Sequence, residues 1–110
     1  MLSDYIINQR GTDYALYQGL LVEAHRQGLR GIDTRLLQVP TEANGHVAVC
    51  AATVTTERGT FAGIGEAGPV SAGRAAHTLI QLAEVRAKAR ALRDAVNANV
   101  VPFEELDDGA

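Results

Sequence analysis

Three arginines in the C-terminal half of the chain, Arg86, Arg90 and Arg93, follow one another at spacings of four and three residues. In an α-helix with about 3.6 residues per turn this spacing places them on one side as a stripe of guanidinium groups. Such groups form planar, bidentate hydrogen bonds with phosphate, which suits a nucleic-acid backbone. The other interpretation is a solvated basic face whose guanidiniums pair with strand carboxylates such as Asp33 or Glu57. The pattern alone leaves both interpretations open.

Three further basic side chains are secondary candidates for phosphate contacts. Arg58 lies in a predicted hairpin turn, and Arg74 lies near the predicted start of a long helix, where free backbone amides can bind phosphate. Lys88 follows Glu84 by four residues, a favourable pair on the side of the helix away from the arginine stripe.

The segment Gly63-Ile64-Gly65-Glu66-Ala67-Gly68 matches the GxGxxG pattern of dinucleotide-binding proteins. That function requires a parallel βαβ unit with a carboxylate at the end of its second strand. No strand is predicted after the long helix, and the acid at the right distance, Glu84, lies inside that helix. We therefore expect these glycines to be structural and to let the strand end and turn into the helix.

No set of residues predicts catalysis. His25, His46 and His77 are scattered, with neither a paired carboxylate nor the spacing of metal ligands. Cys50 is expected in the core. Ser71 is expected to cap a helix, because no motif ties a histidine or an acid to it. We expect no enzymatic activity, no metal and no cofactor.

The overall charge is acidic, but its distribution is uneven. The 110 residues contain ten bases and thirteen acids, a net charge of −3. Four of the acids lie in residues 102–110, so residues 1–101 carry ten bases and nine acids. Five of the bases lie between Arg74 and Arg93, with Glu84 as the one acid among them. The acidic total therefore does not exclude a nucleic-acid partner.

The chain is predicted to lie in a reducing compartment. Its single cysteine excludes an internal disulfide framework, and it has no run of about 18 apolar residues that would span a membrane. Residues 1–5 lack the pattern of a signal peptide. We expect a cytoplasmic protein without membrane contact, nucleoid-associated if its source is a bacterium or a phage.

Two helices are predicted from the spacing of apolar residues. The first covers residues 13–27, with Thr12 or Asp13 as its N-cap and Gly28 as the glycine that ends it. The second covers residues 72–97 and is rich in alanine and leucine, which favour helix.

Three antiparallel strands are predicted between these helices, over residues 32–39, 46–56 and 60–65. The turns at Asn44-Gly45 and at residues 57–59 are too short for any other arrangement. The strand over 46–56 has small or apolar residues on both faces, which is typical of a central strand.

The predicted fold is α+β, in the order α-β-β-β-α. A three-stranded antiparallel meander has the long C-terminal helix packed across one face. Residues 1–101 form a single domain that starts with an arm or short strand over 1–11 and has a link over 66–72. An acidic, mobile tail over 102–110 follows, either solubilising or able to occupy a basic groove or dock a partner. One sheet face and both edges stay open, which favours a homo-oligomer.

Two segments, HVAVCAATVTTERGTFAGIG (residues 46–65) and AEVRAKARALRDAVN (residues 83–97), resemble the Rad-fifty-two type of single-strand annealing proteins of homologous recombination. Related helix endings occur in the phage annealing proteins of the Erf and Sak kinds. In that family a hairpin with a VGVCA-like strand leads into a helix ending in a KRALR-like motif. The resemblance covers about residues 13–98. Arg90 and Arg93 match the motif, whereas Ala89 stands where the family has lysine.

The resemblance implies binding of single-stranded DNA along a basic groove, annealing of complementary strands and ring-like or filament-like homo-oligomers, without nucleotide hydrolysis or a metal. We therefore predict single-stranded DNA binding and annealing in DNA repair or recombination, with phosphate contacts from Arg86, Arg90, Arg93, Arg74, Lys88 and Arg58. The alternative is a homo-oligomeric protein-interaction module of the same fold that does not bind DNA, which the absent lysine supports. The observation that separates them is whether the arginine stripe faces solvent or is occupied by carboxylates.

Overall fold

The computed structural model describes residues 2–9, 12–69, 76–97 and 101–102. The helices and strands, in chain order, are β1 Ile6–Gln9, β2 Thr12–Ala15, α1 Tyr17–Arg26, β3 Leu29–Gln38, β4 Ala48–Thr56, β5 Gly59–Ala67, α2 Ala76–Ala95 and β6 Val101–Pro102. Short 3-10 helices cover Leu2–Tyr5 and Glu42–Asn44. None of the described helices is long and apolar enough to cross a membrane.

The main sheet has the order β3-β4-β5, and both pairs of strands are antiparallel. The helix α2 packs across one face of this sheet, mainly on β4 and β5. The predicted α+β class, the α-β-β-β-α order and the central position of β4 are therefore confirmed. Both predicted turns are present: Gly45 has a φ of +74° in the β3–β4 connection, and Gly59 has a φ of +140° after the β4–β5 turn.

The core consists largely of small side chains. Alternate residues of β4, namely Ala48, Cys50, Ala52 and Val54, are buried on the face that α2 covers, since successive residues of a strand point to opposite faces. The helix contributes buried alanines and Leu92, and α1 adds Leu20 and Ala24. The prediction that Cys50 lies in the core is confirmed.

Two glycines of β5 let the backbone of α2 approach the sheet. A Cβ atom at Gly63 would lie 2.7 Å from the carbonyl oxygen of Ala87, and one at Gly65 would lie 2.4 Å from that of Ala83. These glycines are structural, as predicted, but for a different reason. The strand continues to Ala67 instead of ending at Gly65, so the predicted link over 66–72 was wrong at its first two residues.

The N-terminal region differs most from the sequence prediction. Residues 12–15 form β2, which pairs antiparallel with β1 and parallel with β6. The helix α1 therefore begins at Tyr17 instead of residue 13, and its N-cap is the extended Leu16 instead of Thr12 or Asp13. Strand pairing with distant residues outweighed the local capping preference. The predicted end of α1 is confirmed, because Gly28 follows its C-cap with a φ of +95°.

Four predicted segments fall partly outside the described residues: the arm over 1–11, the link, the start of the long helix and the tail. Residues 70–75, which contain Ser71, Arg74 and the predicted first turns of the long helix, are not described, nor are residues 103–110 of the acidic tail. Pro102, the first residue of the predicted tail, belongs to β6 and pairs with Ala15. The prediction that no strand follows the long helix was therefore wrong, but β6 belongs to the β1-β2-β6 sheet and does not pair with β5.

Candidate nucleic-acid interface

The arginine stripe lies beside the outer edge of β5. The turn between β4 and β5 has two residues, so the pair that closes it, Thr56 and Gly59, is hydrogen-bonded. In an antiparallel ladder, hydrogen-bonded pairs alternate with non-hydrogen-bonded pairs. Gly63 and Gly65 therefore bond to β4, whereas the backbone groups of Ile64 and Glu66 point away from it. This outer row of carbonyl groups is where two arginines of α2 bind.

Arg86 is the innermost member of the stripe. Its side chain crosses from α2 to β5, where Nη1 donates a hydrogen bond of 2.9 Å to the carbonyl oxygen of Glu66. The residue is only 6% exposed. A buried charge needs hydrogen-bond partners, and this carbonyl supplies one. The Arg86 side chain is therefore part of the packing contact between α2 and β5.

Arg90 lies one helical turn further along and binds the same edge. Its Nη1 donates to the carbonyl oxygen of Ile64 at 2.6 Å, and its two terminal nitrogens each lie 3.2 Å from a carboxylate oxygen of Glu66. The side chain remains 26% exposed. The acid that pairs with Arg90 is thus a strand carboxylate, but it is neither Asp33 nor Glu57.

Arg93 is the most exposed member of the stripe. Its side chain is 37% exposed, and its Nε lies 3.7 Å from Oδ1 of the adjacent Asp94. This long, solvent-exposed contact holds the guanidinium only weakly. Arg93 and Arg90 are therefore the members of the stripe that a ligand in solution can reach.

Lys88 points to another side of α2, as its spacing predicted. Its Nζ lies 3.8 Å from Glu84, four residues earlier, and 5.3 Å from the centre of the Tyr17 ring at the start of α1. A cation over an aromatic face is attracted to it. Lys88 therefore links α2 to α1 and lies apart from the β5 edge.

Arg58 was predicted to contact phosphate from a hairpin turn. It lies in the β4–β5 turn, but its side chain folds back toward the helices. Its Nη2 donates to the carbonyl oxygen of Ala95 at 2.6 Å and to the side-chain oxygen of Gln27. The last carbonyls of a helix lack partners within the helix, so Arg58 caps the C-terminus of α2. Arg74, the remaining candidate, lies outside the described residues.

Glu66 is the one functional candidate at this edge that sequence reasoning missed. It was treated as an interior residue of the GxGxxG match, in a segment predicted to be a link. Its extended conformation in β5 places its carboxylate beside Arg90 and its carbonyl beside Arg86. A carboxylate at this position competes directly with any phosphate for the guanidinium of Arg90.

The face of the main sheet opposite α2 carries a concave surface of its own. A depression of about 360 Å³ is lined by Asp33, Thr34, Arg35, Ala51 and Thr53. Asp33 and Arg35 lie two residues apart on β3 and so share one face. Arg35 could not be singled out from the sequence, because no helical stripe or motif contains it.

The three histidines, all of which the structure describes, do not converge on one site. His25, His46 and His77 are exposed and lie on α1, in the β3–β4 connection and at the start of α2. Among the described residues no group of three or more His, Cys, Asp or Glu side chains could hold a metal ion. Burial raises the pKa of the Cys50 thiol above its ordinary value.

One carboxylate outside the interface is strongly perturbed. Glu23 on α1 accepts hydrogen bonds from the guanidinium of Arg26, including one of 3.0 Å from Nε, and one of 2.6 Å from Gln27. These bonds, that from Arg26 above all, lower the pKa of Glu23 to about 2. They stabilise the charged form of a residue that is only 9% exposed.

Comparison of the chain with protein-family models, curated proteins and solved structures gives no match. The resemblance to single-strand annealing proteins therefore stays a prediction from the sequence.

Proposed function

We propose that the protein binds single-stranded DNA along the α2–β5 edge and promotes annealing of complementary strands as a homo-oligomer. The observation that supports this most directly is the arrangement of Arg90 and Arg93. Both guanidiniums lie on one side of α2, both are partly exposed, and Arg90 is fixed by the carbonyl of Ile64.

The arrangement suits contacts to phosphates instead of bases. A guanidinium carries five N–H donors, so Arg90 can hold the strand edge and still donate to a phosphate that displaces Glu66. A fixed guanidinium also loses less side-chain entropy on binding than a free one. Contacts to the backbone carry no sequence preference and leave base edges open for a second strand. The chain has only two Phe and three Tyr, so stacking on aromatic rings is not the expected main source of affinity.

The test is a fluorescence anisotropy titration of a labelled 40-nucleotide single strand at low salt, repeated over a salt series. We expect binding that weakens steeply with salt, because each neutralised phosphate releases counterions. Arg90→Ala combined with Arg93→Ala should weaken binding at least about tenfold if each arginine contributes a phosphate contact. The matched control is Arg30→Ala, which removes an exposed arginine from β3, at the other edge of the sheet.

Two outcomes would contradict this proposal. One is wild-type protein that does not bind the oligonucleotide at low salt. The other is equal binding by wild type and by a double variant that circular dichroism shows to be folded. Annealing is measured separately, from energy transfer between two complementary labelled strands.

A second candidate is a homo-oligomeric protein-interaction module of the same fold that does not bind DNA. It is favoured by the near-complete burial of Arg86 and by the pairing of Arg90 with Glu66. Both guanidiniums then form contacts within the protein and stabilise its fold. Under this function the protein self-associates but leaves the anisotropy of the labelled strand unchanged at every salt concentration.

A further inference from the structure

The other edge of the main sheet, formed by β3, is open to solvent. Residues 33–37 are exposed on both faces of the strand. Three large apolar side chains lie at its C-terminal end or just beyond it. Leu36, Leu37 and Val39 are each about half exposed, at 48%, 50% and 49%. An exposed edge with apolar side chains is a template for pairing with another strand.

The backbone of β3 is oriented for such pairing. The backbone groups of successive residues in β4 point to opposite neighbouring strands. Even-numbered residues form backbone hydrogen bonds with β5, so odd-numbered residues form them with β3. From Gly31 to Leu36 the two strands are in unbroken register, with Asp33 opposite Thr53. The N–H and C=O groups of Ile32, Thr34 and Leu36 therefore point outward from the sheet. These groups form a regular donor and acceptor row along the free edge.

We propose that β3 pairs antiparallel with β3 of a second copy of this chain, about a two-fold axis at Thr34. In this register Asp33 lies opposite Arg35 of the second copy, and Arg35 lies opposite its Asp33. Directly opposed charges of opposite sign stabilise a strand pair, and like charges destabilise it. Moving the axis to residue 33 would place the Asp33 side chains of the two copies opposite each other, and moving it to residue 35 would do the same with Arg35. Charge complementarity therefore selects one register.

The other contacts in this register are also favourable. Ile32 of one copy lies opposite Leu36 of the other on the α2 side, which covers an exposed leucine. Asp33 and Arg35 fall in a non-hydrogen-bonded pair, the type in which side chains are closest. The three outward-facing residues of each copy form about six backbone hydrogen bonds across the axis.

The surroundings of β3 leave room for a second copy. The helix α2 packs mainly on β4 and β5 and touches β3 less. It reaches β3 at Thr34, whose Oγ1 donates a hydrogen bond of 2.9 Å to a carboxylate oxygen of Glu84, yet Thr34 and Leu36 remain exposed. Within the described part of the chain, neither Asp33 nor Arg35 forms an ion pair. Pairing would produce a continuous six-stranded sheet with an arginine-lined β5 edge at each end. This proposal rests on the homo-oligomer part of the proposed function and specifies its surface and symmetry.

The test uses charge exchange and measures mass by sedimentation velocity over a concentration series. Wild type is expected to be a dimer. Asp33→Arg alone and Arg35→Asp alone should each weaken the dimer at least about tenfold, because each turns two attractive pairs into repulsive ones. A 1:1 mixture of these two variants should restore a dimer, as should the single chain carrying both substitutions. Glu42→Arg, which changes the charge equally at an exposed site outside β3, should remain a dimer.

A monomeric wild type would overturn the pairing, as would single variants with unchanged mass or a mixture that stays monomeric. The oligonucleotide titration on the same proteins keeps the two proposals apart. A monomeric wild type that binds the labelled strand contradicts the strand pairing but not DNA binding, whereas a dimeric wild type that fails to bind the strand contradicts DNA binding but not the strand pairing.

Discussion

Gly65 of β5 lies directly against the backbone of Ala87 in α2: a Cβ atom at Gly65 would lie 2.4 Å from the amide nitrogen of Ala87. The neighbouring atoms belong to helix backbone and cannot rotate away. The position of α2 over the sheet, and with it the position of Arg86 and Arg90 along the β5 edge, therefore depends on the absence of a side chain at residue 65.

Gly65→Ala is expected to lower the free energy of unfolding by about 3 kcal/mol, at the upper end of the usual cost of overpacking, because the whole helix must shift. Urea unfolding followed by circular dichroism measures this change. Gly31→Ala is the matched control, since no atom lies within 4 Å of its Cβ position, and it should be neutral or stabilising by up to about 1 kcal/mol. Equal unfolding midpoints for the two variants would contradict the close-packing role of Gly65.

Arg58→Ala tests the cap on α2. The substitution removes the donor to the carbonyl of Ala95 and should lower the free energy of unfolding by about 1 kcal/mol, a typical value for one hydrogen bond. Arg30→Ala, at an exposed site on β3, should change it by less than about 0.5 kcal/mol. Identical denaturation curves for Arg58→Ala and wild type would show that this bond does not stabilise the fold.

Glu23 gives a pH-dependent prediction. The pKa of Glu23 is lowered in the folded protein from 4.5 to about 2, so the unfolded chain binds this proton more readily. Its contribution to stability is therefore complete above pH 4.5 and is lost as the pH falls toward 2. Glu23→Gln should reduce the loss of stability over this interval, as measured by urea unfolding at a series of pH values. Glu42→Gln, at an exposed site, is the control, and a Glu23→Gln curve parallel to wild type would exclude the assignment.

Much of the main sheet could be predicted from the sequence because its determinants are local. The Val- and Thr-rich run of β4, the Asn44-Gly45 turn and the alanine-rich α2 each favour one structure at short range. The start of α1 could not be predicted in this way. Thr12 and Asp13 are good helix caps, but pairing of β2 with β1 and β6 involves residues as distant as Pro102.

The candidate site was only partly predictable for a related reason. Helical spacing placed Arg86, Arg90 and Arg93 on one side of α2, and the structure has them there. What each guanidinium contacts depends on the register between α2 and β5, which helical spacing does not contain. Glu66 meets Arg90 because β5 extends two residues beyond its predicted end.

Under the proposed function, Glu66 is expected to limit DNA binding, because its carboxylate pairs with the guanidinium that a phosphate would contact. Glu66→Gln should raise the affinity for a labelled single strand by up to about fivefold at low salt, the equivalent of one exposed ion pair. The gain should shrink as salt screens the competing charges. The measurement is fluorescence anisotropy on variants whose fold is checked by circular dichroism.

Two controls show whether the effect passes through Arg90. Glu42→Gln makes the same change in net charge at an exposed site in the β3–β4 connection, so a general charge effect would raise its affinity equally. Glu66→Gln combined with Arg90→Ala should lose the gain, because the released guanidinium is then absent. If Glu66→Gln and Glu42→Gln bind alike, or if the gain survives without Arg90, then the pairing of Glu66 with Arg90 does not control access to the interface.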